Sequence, residues 1–274
     1  MGKRSSIAHG DMAIQWASAV IYAAHDTESL PLGEQLKHYG IDYINKAVKP
    51  HKKTILHDYI EAIIMNNYSY LLDKGFPGEV IADLDECAQY YQISVCSLDE
   101  RTFQFDSHGE LIYGDFYDAK KYADDFLNLF QQKLLSTLAE DVFTILYNDK
   151  NLLAFFCKEL AKVICGLKVS DYPDVLVADG VIKRCTYWPT WLENGICYRD
   201  KGRCQLCGCD TTAILRPDIK TNIDHIIPLD SGGINDPINL QLTCEHCNKS
   251  KGARSTTFNN MATPFWLLDD YEQE

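Results

Sequence analysis

The chain has 274 residues, enough for one large domain or two ordinary ones, and at 46% hydrophobic and 24% charged it sits at globular averages, which excludes disorder and fibrous repeats. Its apolar runs are short pieces such as residues 152–157, far from the roughly 20 residues that span a bilayer, so an integral membrane protein is excluded. The formal net charge of −13 argues at first sight against a nucleic-acid partner, but residues 191–260 carry eight acidic and eight basic side chains, so the acidity lies elsewhere.

At the N-terminus, Met1-Gly2-Lys3-Arg4-Ser5-Ser6 fits the loose N-myristoylation pattern, and the apolar stretch 13–24 behind Lys3 and Arg4 mimics a signal peptide. Gln15 interrupts that stretch, and Ile14, Trp16, Ala17, Val20, Ile21 and Ala24 recur as on an amphipathic helix. No targeting segment is expected, and the setting is read as cytoplasmic.

Residues 1–170 read as mainly helical. Ile55, Tyr59, Ile60, Ile63, Ile64, Tyr68, Leu71 and Leu72 recur at helical steps and stop at Gly75, with Pro77 beyond. A second helix is expected over 78–91. Across 92–113 the pattern alternates (Ile93, Val95, Phe103, Phe105), and Ser107-His108-Gly109 marks a turn, which predicts a small antiparallel sheet. Two long helices are then expected between about 116 and 168, broken at Asn148-Asp149-Lys150. The carboxylate pairs here and His25, His38, His51, His57 and His108 lack ligand spacing, and surface or capping places are expected for them. Pro and Gly cluster over 168–190, and Trp188-Pro189-Thr190-Trp191-Leu192 reads as the opening of a further helix.

Six of the eleven cysteines (Cys87, Cys96, Cys157, Cys165, Cys185, Cys197) stand singly in apolar surroundings and read as buried thiols. The others crowd together. Cys204-Gln205-Leu206-Cys207 and Cys244-Glu245-His246-Cys247 are two Cys-x-x-Cys turns, each able to aim both sulfurs at one point. Four thiolates leave no open coordination position, so a zinc held there is structural, and the compartment is reducing. Cys209 reads as a bystander, and His246 is not expected to compete as a zinc ligand, since Cys244 and Cys247 already fill the two places.

Between the turns lie Ile223-Asp224-His225-Ile226-Ile227-Pro228, then Ser231-Gly232-Gly233, then Asn239-Leu240-Gln241-Leu242, and finally Cys247-Asn248-Lys249-Ser250-Lys251. This ordered string, from about Tyr198 to Arg254, resembles the HNH endonuclease family, with its ββα-metal core. Hydrolysing a phosphodiester needs an activated water and a cation to absorb charge on the transition-state oxygens, and His225 is the side chain able to take a proton near neutral pH. The resemblance implies that His225 is the general base, that Asp224 binds the catalytic metal, and that Asn239 ties the loop and orients the His225 backbone. Asn248 would stand beside the metal as the last motif residue, which makes this an H-N-N variant. Its amide with the Asp224 carboxylate offers an all-oxygen shell, suited to Mg2+ or Mn2+. Lys249, Lys251 and Arg254 would meet phosphates, with weak reading of sequence.

The expected fold class is α+β: a mainly helical N-terminal lobe with a small antiparallel sheet, then a ββα-metal module with a structural zinc. The lobe is expected over 1–170, a linker over 171–189, the module over 190–260 and an acidic tail over 261–274. The expected function is metal-dependent endonucleolytic hydrolysis of DNA, in restriction or anti-phage defence. The lobe would sense a signal, bind a partner or mediate self-association, and no membrane is involved. The alternatives are an RNA nuclease and a non-catalytic zinc module that binds nucleic acid or protein.

Overall fold

A computed structural model describes residues 11–26, 30–93, 103–106, 109–212 and 220–252. Among these residues the helices are α1 (Asp11–His25), α2 (Leu32–His38), α3 (Tyr43–Val48), α4 (Ile55–Lys74), α5 (Pro77–Tyr90), α6 (Phe116–Lys133), α7 (Leu135–Leu146), α8 (Lys150–Cys165), α9 (Thr190–Arg199) and α10 (Glu245–Lys251). The strands β1 (Gln104–Phe105) and β2 (Leu111–Tyr113), β3 (Leu176–Ala178) and β4 (Val181–Ile182), and β5 (Thr221–His225) and β6 (Leu240–Cys244) form antiparallel pairs. The protein is therefore mainly helical with small antiparallel sheets, as the hydrophobic periodicity predicts.

The chain divides into two compact units. The first holds the described residues of Met1–Asp26 and Leu56–Leu146. Its helices bury the periodic side chains of α4 around Tyr68, which meets Trp16 edge-on at 5.4 Å and Phe130 at 5.7 Å. Where α4 stops, Gly75 turns to φ +87°, a conformation that a side chain disfavours. The 116–168 stretch folds as three helices rather than two. Leu134, fully packed and with no glycine or proline beside it, interrupts α6 and α7 while keeping φ −117° and ψ −36°, so the hydrophobic spacing runs on through the break. His57 is buried and stacks on Phe143 at 3.7 Å, which corrects the surface placing expected for it. Val95, Cys96, Ser107 and His108 lie outside the described residues.

The second unit holds the described residues of Thr27–Ile55 and Tyr147–Glu274, a wider span than 190–260. Asp149 starts α8 by accepting from the backbone amides of Asn151 (2.9 Å) and Leu152 (3.1 Å). Pro189 immediately precedes α9, whose Leu192 and Ile196 pack on Leu240 and Leu242 of β6, with Trp188, Cys197 and Ile223 around them. β5 pairs with β6 from Thr221↔Cys244 to His225↔Leu240, and α10 follows β6 without a gap. Of the single cysteines, Cys87 and Cys157 are buried; Cys165, the last residue of α8, is exposed, Cys185 in the loop before α9 is half-buried, and Cys197 is half-buried at the margin of the Leu192 cluster.

Candidate active site

The two Cys-x-x-Cys turns meet. The four sulfurs of Cys204, Cys207, Cys244 and Cys247 lie within 4.8 Å of one another, with Cys207 and Cys244 3.9 Å apart. Zn–S bonds of about 2.3 Å set a tetrahedral edge of about 3.8 Å, so the cluster suits zinc. Gly208 stands at φ +75° and donates its amide to the Cys204 carbonyl (2.8 Å), the turn a knuckle requires. Cys244 ends β6 and begins α10, so strand and helix converge on the same sulfur. Exposed His246 is outside the cluster.

A buried polar network fixes the first knuckle to the strands. The Asp200 carboxylate accepts from Arg199 Nε (2.8 Å), from the Leu242 amide (2.7 Å) and from Lys150 Nζ (2.9 Å). Arg199 also donates to the Leu240 carbonyl (2.6 Å), and Gln205 bridges the Asp200 and Arg203 carbonyls while its own amide bonds to Leu242. Burial pulls Lys150 down to about 8 against the attraction of Asp200.

The loop from β5 to β6 is shaped by Gly232, Gly233 and Asn239. Gly232 has φ +82°, and a Cβ on Gly233 would run into the Ile227 carbonyl, so both glycines are needed for the loop to fold back. Asn239, wholly buried, donates Nδ2 to the carbonyls of Ile227 (3.0 Å) and Ile234 (2.9 Å) and accepts from the Ile227 amide (2.8 Å). The backbone just past His225 is thereby held.

His225 is the last residue of β5, and the chain bends at Ile226 and Ile227 directly after it. Alternation along a strand sends neighbouring side chains to opposite faces, and the strand end lifts that restriction. The imidazole is buried, meets Trp188 edge-on at 5.8 Å, and has Nε2 3.0 Å from Asn235 Oδ1. Burial pulls its pKa down to about 4, against the Asn235 hydrogen bond and the Asp224 charge. The ring is neutral at pH 7.

Asp224 pairs across the sheet with Gln241, whose Nε2 is 3.3 Å from Asp224 Oδ2. That same oxygen accepts from Lys251 Nζ (2.6 Å), which also bonds to the His225 carbonyl. The Lys251 ammonium is thus buried among oxygens rather than offered to solvent, where the sequence reading expected it to meet a phosphate. Lys249 is exposed and paired with Glu245 at 2.7 Å. Asn248 lies half-buried one turn before Lys251 on α10, and Arg254 lies outside the described residues.

Residues 204–254 match the HNH endonuclease family. The C-terminal segment is an HNH module. No curated protein and no solved structure matches the chain. The match supports a nuclease of the HNH type in this segment and implies a nucleic-acid substrate for it. Among the described residues no helix is long and apolar enough to cross a membrane.

Around the HNH module the structure adds Asn235, Trp188, Gln241, and the Lys150–Arg199–Asp200 network. Sequence spacing does not reveal these partnerships where they join residues distant in the chain, as for Asn235 with Val48 and Lys150 with Asp200.

Proposed function

We propose that this protein is a metal-dependent endonuclease that hydrolyses phosphodiester bonds of DNA, with His225 as the general base. The observation that carries this is a neutral, buried histidine at the end of β5, next to a carboxylate, inside a loop whose shape Asn239 and two glycines impose. His225 takes a proton from the attacking water, and burial keeps it uncharged and ready to do so.

The surroundings of Asp224 suit a hard cation. Its carboxylate accommodates a positive charge, the Lys251 ammonium, and Gln241 beside it has a buried Oε1 with no hydrogen-bond partner. Asp224 and Asn248 would hold Mg2+ or Mn2+, which when bound would absorb charge on the phosphate oxygens. In this arrangement Lys251 balances the Asp224 charge. Lys249, exposed on α10, and Arg254, beyond the described residues, would meet phosphates. The Cys204–Cys207–Cys244–Cys247 cluster would hold a structural Zn2+, and its need for reduced thiols supports a cytoplasmic setting.

A large helical region joined to a compact nuclease unit supports a role in restriction or anti-phage defence, with the N-terminal part controlling the nuclease by self-association or by a protein partner. Incubation of the purified chain with duplex DNA, single-stranded DNA and RNA, each with Mg2+, Mn2+ or EDTA, tests the reading. Duplex DNA is expected to be cut only with metal. Cleavage of RNA alone would replace the substrate, and no cleavage of any of the three would refute the activity.

A further inference from the structure

The nuclease reading makes His225 a base without saying which ring nitrogen accepts the proton or what selects it. Asn235 answers both. It lies in the loop behind Gly232-Gly233 and is wholly buried. Its Nδ2 is 2.8 Å from the Val48 carbonyl and 2.8 Å from the Lys183 carbonyl. Carbonyl oxygens only accept, so the NH2 group must face them, and the amide cannot be turned over without setting oxygen against oxygen twice. Oδ1 then faces the other way, where the Cys185 amide donates to it at 3.5 Å and His225 Nε2 lies at 3.0 Å. An amide oxygen only accepts, so the ring nitrogen that faces it must carry the hydrogen.

We propose that Asn235 is the positioning residue of the active site: it fixes His225 as the Nε2–H tautomer and leaves the Nδ1 lone pair as the base. Asn239, the motif asparagine, holds backbone and does not touch the ring. Two further facts give Asn235 its rigidity. Its backbone amide donates to the Ala47 carbonyl (2.8 Å), and its side chain caps the next carbonyl, Val48. These are the last residues of α3, whose terminal carbonyls have no partner inside the helix, so Asn235 satisfies α3 while α3 orients Asn235. The orientation of the base therefore depends on a helix more than 150 residues before the segment that matches the family.

This inference rests on the nuclease reading, and its test does not. In the full chain with 15N-labelled histidine and no added Mg2+ or Mn2+, the signals of His225 are those lost in His225→Gln. Two-bond 15N–1H correlation is expected to show Nε2 protonated and Nδ1 bare at neutral pH. The reverse tautomer, or the averaged pattern of a free ring, would overturn the proposal, whether or not the protein cuts DNA. In Asn235→Ala the fixed pattern is expected to give way to averaging. Zinc content is expected to stay at the wild-type value, and kcat to fall by about tenfold or more with KM unchanged. A variant that folds and keeps the Nε2–H pattern would remove Asn235 from the role. If it does not fold, the wild-type spectrum still decides.

Discussion

His225, the proposed base, also carries a stability cost. Burial holds its pKa near 4, against the Asn235 hydrogen bond and the Asp224 charge, whereas an unfolded histidine titrates near 6.5. Between those values the unfolded chain binds the proton and the folded chain does not, so stability falls as the pH drops from about 6.5 towards 4, by about 3 kcal/mol for this group. Urea midpoints measured across that range should therefore decline less steeply in His225→Ala than in the wild type. Parallel declines would mean that the ring is not held neutral by its surroundings. The proposal of this residue as base could be read from its place in an ordered motif. Its orientation was not, because Asn235 acts through carbonyls contributed by residues 48 and 183.

Among the elements, the pairing of β5 with β6 and the join of β6 to α10 bring the knuckles together, and the Asp200 network locks the first knuckle to β6. Asp200 is wholly buried and balanced by Arg199 and Lys150, so removing it strands two buried cations. Asp200→Ala is expected to destabilise the second unit by about 3–5 kcal/mol, read as a lowered denaturation midpoint. A bound zinc would contribute on the order of 10 kcal/mol to such a module. Cys204→Ser and Cys247→Ser should each lose one zinc per chain by elemental analysis, and full zinc in both would refute the four-sulfur site. The knuckles and the helices α4 and α5 could be read from spacing alone, since both signals are local. The break at Leu134 was hidden because its backbone stays close to helical. Helical spacing puts Lys251 on one face of α10 but does not say what lies against that face, here Asp224 and the end of β5.

For the molecule as a whole, the nuclease segment is completed by parts of the chain far from it. Gly232 packs so closely on α8 that a Cβ would approach the Ala161 carbonyl, Lys150 neutralises Asp200, and α3 anchors Asn235. A fragment of residues 185–274 lacks all three supports, so it is expected to melt without a cooperative transition, whereas the full chain melts cooperatively. A sharp melt of the fragment would show that the module is self-sufficient. The net charge of −13 is compatible with a nucleic-acid substrate because residues 191–260 are neutral overall. The central claim is that His225 performs metal-dependent phosphodiester hydrolysis, and the most direct measurement compares wild type and His225→Ala on plasmid DNA with Mg2+ or Mn2+, alongside an EDTA control. The wild type should cut only with metal, and His225→Ala, with unchanged zinc content, should be slower by roughly 10²–10⁴. Cleavage by His225→Ala at the wild-type rate, or by the wild type in EDTA, would contradict the account.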